Sequence, residues 1–201
     1  GDIVPQYSNG PLVFLDVTKA YDKAWLDGIM HVMHKRGLEG PLWNTIRKMN
    51  QNLSATIRTK DGLTRPIKMQ DNIRQGGVLS VIQYALLMDE LAKEIQHQNL
   101  GCYTDIHGNK IGCLLWMDDV VLISETKEEM EKMLTITNNF AGKYHIEFGK
   151  DKSKTMAIGT NKKPPMKLGD MNLEYTNEYK YLGEIIDDKL SLEKQLINIR
   201  S

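Results

Sequence analysis

Several kinds of sequence feature are missing here, and each absence excludes something. No stretch of the 201 residues is apolar for long enough to span a bilayer, and no signal-peptide pattern opens the chain. Only two cysteines occur, Cys102 and Cys113, too few for a disulfide framework, and with the five histidines they match no zinc spacing. Free thiols in a reducing, intracellular compartment are the expectation. Net charge is missing too, since 26 Lys and Arg meet 26 Asp and Glu. Nucleic-acid binders usually carry a basic excess. Such a role therefore requires basic parts that lie elsewhere, as the acidic catalytic part of a larger protein would have. Repeats and low-complexity segments are also absent. What remains is ordinary: 41% hydrophobic and 26% charged residues, enough for one sizeable domain or a large domain with a small appendage.

The pattern along the chain is mixed. Pro11 to Leu15 is a short apolar run behind Asn9-Gly10 and reads as a buried strand ending at Asp16. Trp25, Ile29, Val32 and Met33 recur at helical spacing, with Gly37 as a stop. Pro41 suits the first turn of a second short helix carrying Leu42, Ile46 and Met49. Residues 54 to 59 and 65 to 70 flank Lys60-Asp61-Gly62 as a hairpin. A long helix follows Gly77, with Leu79, Ile82, Leu86, Leu91 and Ile95 on one broad face. Further hairpins turn near Gly108-Asn109 and at Met117-Asp118-Asp119. Thr126 with Glu129 forms a capping-box pattern before another helix. Strand-like pieces near 144 to 148, 154 to 158 and 171 to 182 complete the chain, and Leu192, Leu196 and Ile199 begin one more helical pattern. That last pattern is cut short, as in a segment of a longer polypeptide. The order is α+β and is compatible with an antiparallel split βαβ (ferredoxin-like) sheet with helices packed on one face.

The chemistry concentrates in three carboxylates. Asp16 ends an apolar strand, and Asp118-Asp119 sits at the tip of an apolar hairpin. Unpaired charge at the end of buried strands is costly, and clustered carboxylates raise each other's pKa. Magnesium ions resolve that conflict, because they take oxygen ligands and can be held by a few carboxylates together with substrate phosphates. Alone, an Asp-Asp pair is a common solvated turn.

It does not stand alone. Phe14-Leu-Asp16-Val-Thr-Lys-Ala-Tyr-Asp22, Ile73-Arg-Gln-Gly-Gly-Val-Leu-Ser80 and Trp116-Met-Asp-Asp-Val-Val-Leu-Ile-Ser124 resemble motifs A, B and C of reverse transcriptases. Gly149-Lys-Asp-Lys-Ser-Lys-Thr155 is similar to the lysine-bearing motif D, and Tyr179-Lys-Tyr-Leu-Gly183 to the primer-grip motif E. The five blocks occur in family order and cover nearly the whole chain. Their nearest likeness is to retrotransposons lacking long terminal repeats, where a Lys-Ala-Tyr/Phe-Asp run after the first aspartate is typical.

The resemblance implies an RNA-directed DNA polymerase that adds deoxynucleotides to a primer 3′ end by two-metal-ion nucleotidyl transfer. It implies a reverse-transcriptase palm with partial fingers. Residues 1–160 would be palm with part of the fingers, 161–190 the primer-grip hairpin, and 191–201 the start of a thumb or a truncated C-terminal helix. Asp16 and Asp118 become the principal ligands of two Mg²⁺ ions, with Mn²⁺ able to substitute; Asp119 is the neighbouring carboxylate, and the Val17 carbonyl is a further ligand. Tyr21 becomes the aromatic under the incoming sugar that leaves no room for a 2′-hydroxyl. Gln75 and Gly76 contact the nucleotide, Lys154 is the best match for the acid or electrostatic partner of pyrophosphate, with Lys150 and Lys152 as neighbouring candidates, and Tyr181, Leu182 and Gly183 position the primer end.

The implied partners are an RNA or DNA template with primer, deoxynucleoside triphosphates, and the remaining fingers and thumb of a parent polyprotein, with no membrane. The implied location is the nucleus and cytoplasm of a eukaryotic host. Arg74 before Gln75, Val81 after Ser80 and Trp116 in place of Tyr or Phe depart from the family pattern. The rival reading is a catalytically incomplete relative that serves as a nucleic-acid-binding or structural module.

Overall fold

The computed structural model describes residues 10–68, 73, 76–104, 107–159 and 163–191. Arg74, Gln75 and the expected last helix (Leu192, Leu196, Ile199) lie outside the described residues. The first half of the chain runs β1 (Pro11–Asp16), α1 (Leu26–Lys35), α2 (Gly40–Asn50), the short strands β2 (Ser54–Ala55), β3 (Arg58–Thr59), β4 (Gly62–Leu63) and β5 (Ile67–Lys68), then α3 (Val78–His97). The second half runs β6 (Cys102–Tyr103), β7 (Lys110–Ile111), β8 (Cys113–Trp116), β9 (Asp119–Ile123), α4 (Lys127–Tyr144), β10 (Lys154–Ala157), β11 (Met166–Leu168), β12 (Met171–Tyr175), β13 (Glu178–Tyr181) and β14 (Glu184–Asp187).

Six strands form one sheet in the order β11-β12-β10-β1-β9-β8. Four consecutive strands of it, β10-β1-β9-β8, are antiparallel throughout, as a split βαβ unit requires. One pair departs from the expected antiparallel sheet, because β12 runs parallel to β10. β11 and β12 thus extend the sheet past the boundary drawn at residue 160, leaving only β13–β14 as a separate hairpin. The piece around 144 to 148 is not a strand. Tyr144 still belongs to α4, His145 closes that helix in the left-handed region (φ 56°), and Phe148 makes a single bridge to Val17.

Strand alternation sorts β1 onto two faces. Val13 and Leu15, with Val120 and Leu122 of β9, join the main core with Ile29 of α1, Leu87 and Leu91 of α3, and Met130 and Met133 of α4. Each such buried side chain contributes roughly 1.5–3 kcal/mol. Phe14, Val121 and Met156 point the other way, and Tyr179, Tyr181 and Ile186 of the β13–β14 hairpin cover them. Helices therefore occupy one face and a small hairpin the other.

Local chemistry explains the element ends. Gly37, at φ 88°, lets the chain leave α1. Thr126 Oγ1 accepts from the Glu129 amide at 3.1 Å, the cap expected for α4. α1 is tied to α3 by charge: Glu90, only 7% exposed, accepts from Lys35 Nζ at 2.9 Å and Arg36 Nη2 at 2.7 Å, and Arg36 Nη1 lies 2.8 Å from Asp89. Cys102 and Cys113 are free thiols, and His31 and His34 lie on α1. Among the described residues no helix is long and apolar enough to cross a membrane.

Candidate functional site

β1 is the middle strand of the split unit, so whatever ends it meets the tips of its neighbours. Asp16 ends it, in register with Asp119 at the start of β9. Asp118 occupies the two-residue turn between β8 and β9, and its carbonyl accepts from the Val17 amide at 3.0 Å. Segments about a hundred residues apart are thereby locked edge to edge. The turn carries Met117 at φ 54°, a left-handed conformation that two-residue hairpin loops demand and that costs a non-glycine residue on the order of 1 kcal/mol.

Asp16 and Asp118 line one open cavity of about 620 Å³. The remaining wall is the run Val17 to Asp22 and the loop Gly149 to Lys152. That loop is held close, with the Gly149 amide donating to the Asp16 carbonyl at 2.9 Å. A Cβ on Gly149 would come 3.2 Å from Thr18 Oγ1, a tight contact, and 3.6 Å from Asp16 Oδ2, an ordinary one. Val17 and Phe148 form an isolated antiparallel bridge flanked by the Thr18-to-Glu147 and Gly149-to-Asp16 hydrogen bonds. In such a pair the residue's own peptide groups point outward. The Val17 carbonyl therefore lies on the Asp118 side of the strand.

The charges do not balance. Burial first, then the charges of Asp118 and Asp16, push the Asp119 carboxyl above its ordinary value, while Lys152 pulls it down. Directly opposed like charges on neighbouring strands are destabilising. Among the described residues Lys152 pairs with Asp16, its Nζ 3.1 Å from Asp16 Oδ1, while Lys19 and Lys150 line the same cavity. Among the described residues no group of three His, Cys, Asp or Glu side chains is arranged as a ready metal cage. Magnesium does not need one, because it is commonly held by one or two carboxylates and completes its shell with water and substrate phosphates. Two carboxylates on one cavity, a third beside them raised by burial and then by their charges, and a carbonyl on the same side fit a divalent cation of this kind.

The expected lysine is placed differently. Lys154 lies opposite Phe14, two residues along β1 from Asp16, and Glu174 of the parallel neighbour β12 takes its ammonium at 2.7 Å. Lys152, two residues earlier and so on the same face, falls at Asp16. Two lysines at period two carried the signal, but pairing register alone decides which of them meets the aspartate.

Tyr21 lines the cavity, its hydroxyl 3.5 Å from Met117 Sδ and its ring 5.5 Å from that of Tyr84. Sequence reasoning missed Tyr84, which is 1% exposed with a hydroxyl that has no partner among the described residues; burial, then the Asp118 charge, push its phenol up. Gly76 sits at φ 81° just before α3 with open space at its Cα, so backbone conformation, not crowding, calls for glycine. Gln75 lies outside the described residues. Leu182 and Gly183 form the β13–β14 turn, both with positive φ, and Leu182 is 49% exposed at its tip. Tyr181 lies under that tip with its ring 6.3 Å from Phe14.

Residues 4–186 match the model of a protein family described as reverse transcriptase (RNA-dependent DNA polymerase). The chain is 22% identical over 196 residues to an RNA-directed DNA polymerase from the mobile element jockey of Drosophila funebris, covering 93% of this chain and 20% of the relative. It is 26% identical over 189 residues to a retrovirus-related Pol polyprotein from the type-1 retrotransposable element R2 of Nasonia vitripennis, covering 87% of this chain and 18% of the relative. It thus spans about a fifth of the curated relatives it matches. Among solved structures, a telomerase from Candida tropicalis in complex with a fragment of telomeric RNA superposes with a TM-score of 0.64 at 13% identity, covering 95% of this chain and 31% of that one. That likeness concerns the fold.

Proposed function

Because the chain belongs to the reverse transcriptase (RNA-dependent DNA polymerase) family, we propose that it is the palm of an RNA-directed DNA polymerase that extends a primer by nucleotidyl transfer. One observation carries the reading: Asp16 and Asp118 line one nucleotide-sized cavity, and Asp119 is paired in register with Asp16. Asp16 and Asp118 hold two magnesium ions in this proposal, with Asp119 and the Val17 carbonyl as supporting donors. Bound there, the metals lower the pKa of the primer 3′-hydroxyl and neutralise charge on departing pyrophosphate.

The chain's own residues do the positioning. Tyr21, braced by Tyr84 and Met117, gives the incoming sugar a flat wall that excludes a 2′-hydroxyl. Gln75 and Gly76 approach the nucleotide from the start of α3. Leu182 and Gly183, with Tyr181 beneath them, present the hairpin tip to the primer end, by shape and backbone rather than sequence. Lys152, not Lys154, is the lysine placed to meet the triphosphate. Template, primer and deoxynucleoside triphosphates are the substrates, fingers and thumb of the parent polyprotein complete the grip, and the nucleus and cytoplasm of a eukaryotic host are its location.

Primer extension on an RNA template with magnesium tests this, using the chain within its full parent polypeptide. Deoxynucleotides are expected to be incorporated in preference to ribonucleotides, and Asp118→Ala is expected to stop extension. Continued extension by that variant removes the proposed site, and a preference for ribonucleotides removes the role of Tyr21. The isolated 201 residues are expected to extend weakly or not at all.

A further inference from the structure

The outer hairpin touches the carboxylate site through one hydroxyl. Tyr179 of β13 lies flat on Phe14, ring centroids 4.1 Å apart and planes 11° from parallel. Phe14 is two residues before Asp16 and on the same face of β1, so the ring reaches from the sheet to the loop beside the aspartate. There the Tyr179 hydroxyl donates to the main-chain carbonyl of Lys152 at 3.1 Å. The Lys152 side chain then turns back to place its ammonium 3.1 Å from Asp16 Oδ1. Stacked ring, tethered carbonyl and returning ammonium form one chain of contacts from hairpin to carboxylate.

Such a pair contributes little to folding. The Lys152 side chain is 71% exposed against 16% for Asp16, and an ammonium left in water gains little from a surface contact. Its effect is on the site, where among the described residues it is the lysine paired with Asp16, next to Asp118 and Asp119. A long side chain held at its backbone by Tyr179 can leave Asp16 for solvent without moving the loop.

We infer that Lys152 is a built-in counter-cation that occupies Asp16 until a divalent cation takes its place, and that Tyr179 is the positioning residue that sets it there. The inference rests on the proposed role of Asp16 and Asp118 as metal ligands. It makes cation uptake a competition: the free protein binds its first metal more weakly than the carboxylates alone would, and the hairpin tunes the difference.

Manganese titration of this 201-residue chain, with free Mn²⁺ counted by electron paramagnetic resonance, tests it without any turnover. Lys152→Met is expected to tighten manganese binding about three- to tenfold, the size of a solvent-screened charge pair acting on a divalent ion. Lys152→Arg keeps the charge and is expected to leave affinity within about twofold of wild type. Tyr179→Phe keeps the stacked ring and loses only the tether; it is expected to tighten binding about twofold in the wild-type background and not at all in Lys152→Met, the signature of action through Lys152. Uptake that depends on Asp16 and Asp118 but is unchanged by Lys152→Met overturns the counter-cation while leaving the metal site standing. An equal effect of Tyr179→Phe in both backgrounds overturns its positioning role. No manganese uptake by any form overturns the metal site and this inference together.

Discussion

Two of the acid–base clusters among the described residues are built on opposite plans. At the α1–α3 contact, Glu90 is met by Lys35 and Arg36, and Arg36 also takes Asp89. Burial alone would raise the Glu90 carboxyl, but the hydrogen bonds from Lys35 and Arg36 outweigh it and hold the group below its ordinary value. At the end of β1 three carboxylates share one lysine, and Asp119 is pushed up. The first cluster is complete and holds helices together. The second is incomplete and holds a deficit of positive charge at the rim of a cavity. In the proposed function, a divalent cation is the partner that answers the second cluster.

Breaking the incomplete cluster should cost function rather than stability. Asp118→Ala is expected to lower primer extension by the parent polymerase on the order of a thousandfold or more, as for loss of a group that anchors transition-state charge. Its urea midpoint is expected not to fall; a marked fall would show that Asp118 is structural. Breaking the complete cluster should do the reverse. Glu90→Ala leaves the partly buried Arg36 with Asp89 alone and is expected to cost about 1–3 kcal/mol in urea unfolding, below a fully buried pair because Asp89 still answers Arg36 and Lys35 stays in water.

Acid sharpens the contrast. The Glu90 carboxyl is lowered, so its contribution is fully present above its ordinary value of 4.5 and is lost as pH falls through the folded value. Wild type should therefore lose stability over that window, and Glu90→Gln should flatten the slope in pH-dependent melting. Asp119 is raised, so the sign is opposite. Its ionised form costs stability above the raised folded value, and the cost fades as pH falls toward 3.8. Asp119→Asn is expected to raise the melting temperature of the metal-free chain slightly near neutral pH and to lose that advantage in acid. Equal melting of variant and wild type at neutral pH would mean that the repulsion is already answered by Lys152.

Where a feature depended on neighbours in sequence, it was legible before any coordinates. Thr126 and Glu129 announced the start of α4, Gly37 the end of α1, and the apolar runs around Asp118 their hairpin. Asp16 and Asp118-Asp119 stood out because polar ends on apolar strands waste burial. Features that depended on pairing were not legible. Lys152 and Lys154 look alike in sequence, yet one is answered by Glu174 across a parallel pair and the other by Asp16. The parallel entry of β12 moved the edge of the sheet beyond residue 160, because no local pattern distinguishes a strand that joins a sheet from one that forms its own hairpin. Tyr84 carried no signal within the long helix, and its place beside Tyr21 came only from packing.

The amino-acid sequence by itself determined which groups this protein can bring to a reaction, and it set the turns, caps and alternating strands that expose them. Tertiary structure decided which groups meet: Asp16 with Asp119, Lys152 with Asp16, Tyr179 with the backbone of Lys152. The reason lies in strand geometry. A strand's own residues dictate which side chains share a face, but the position of each along that face is set by the register of a partner far away in the chain, and a shift by two residues keeps every face while exchanging every neighbour.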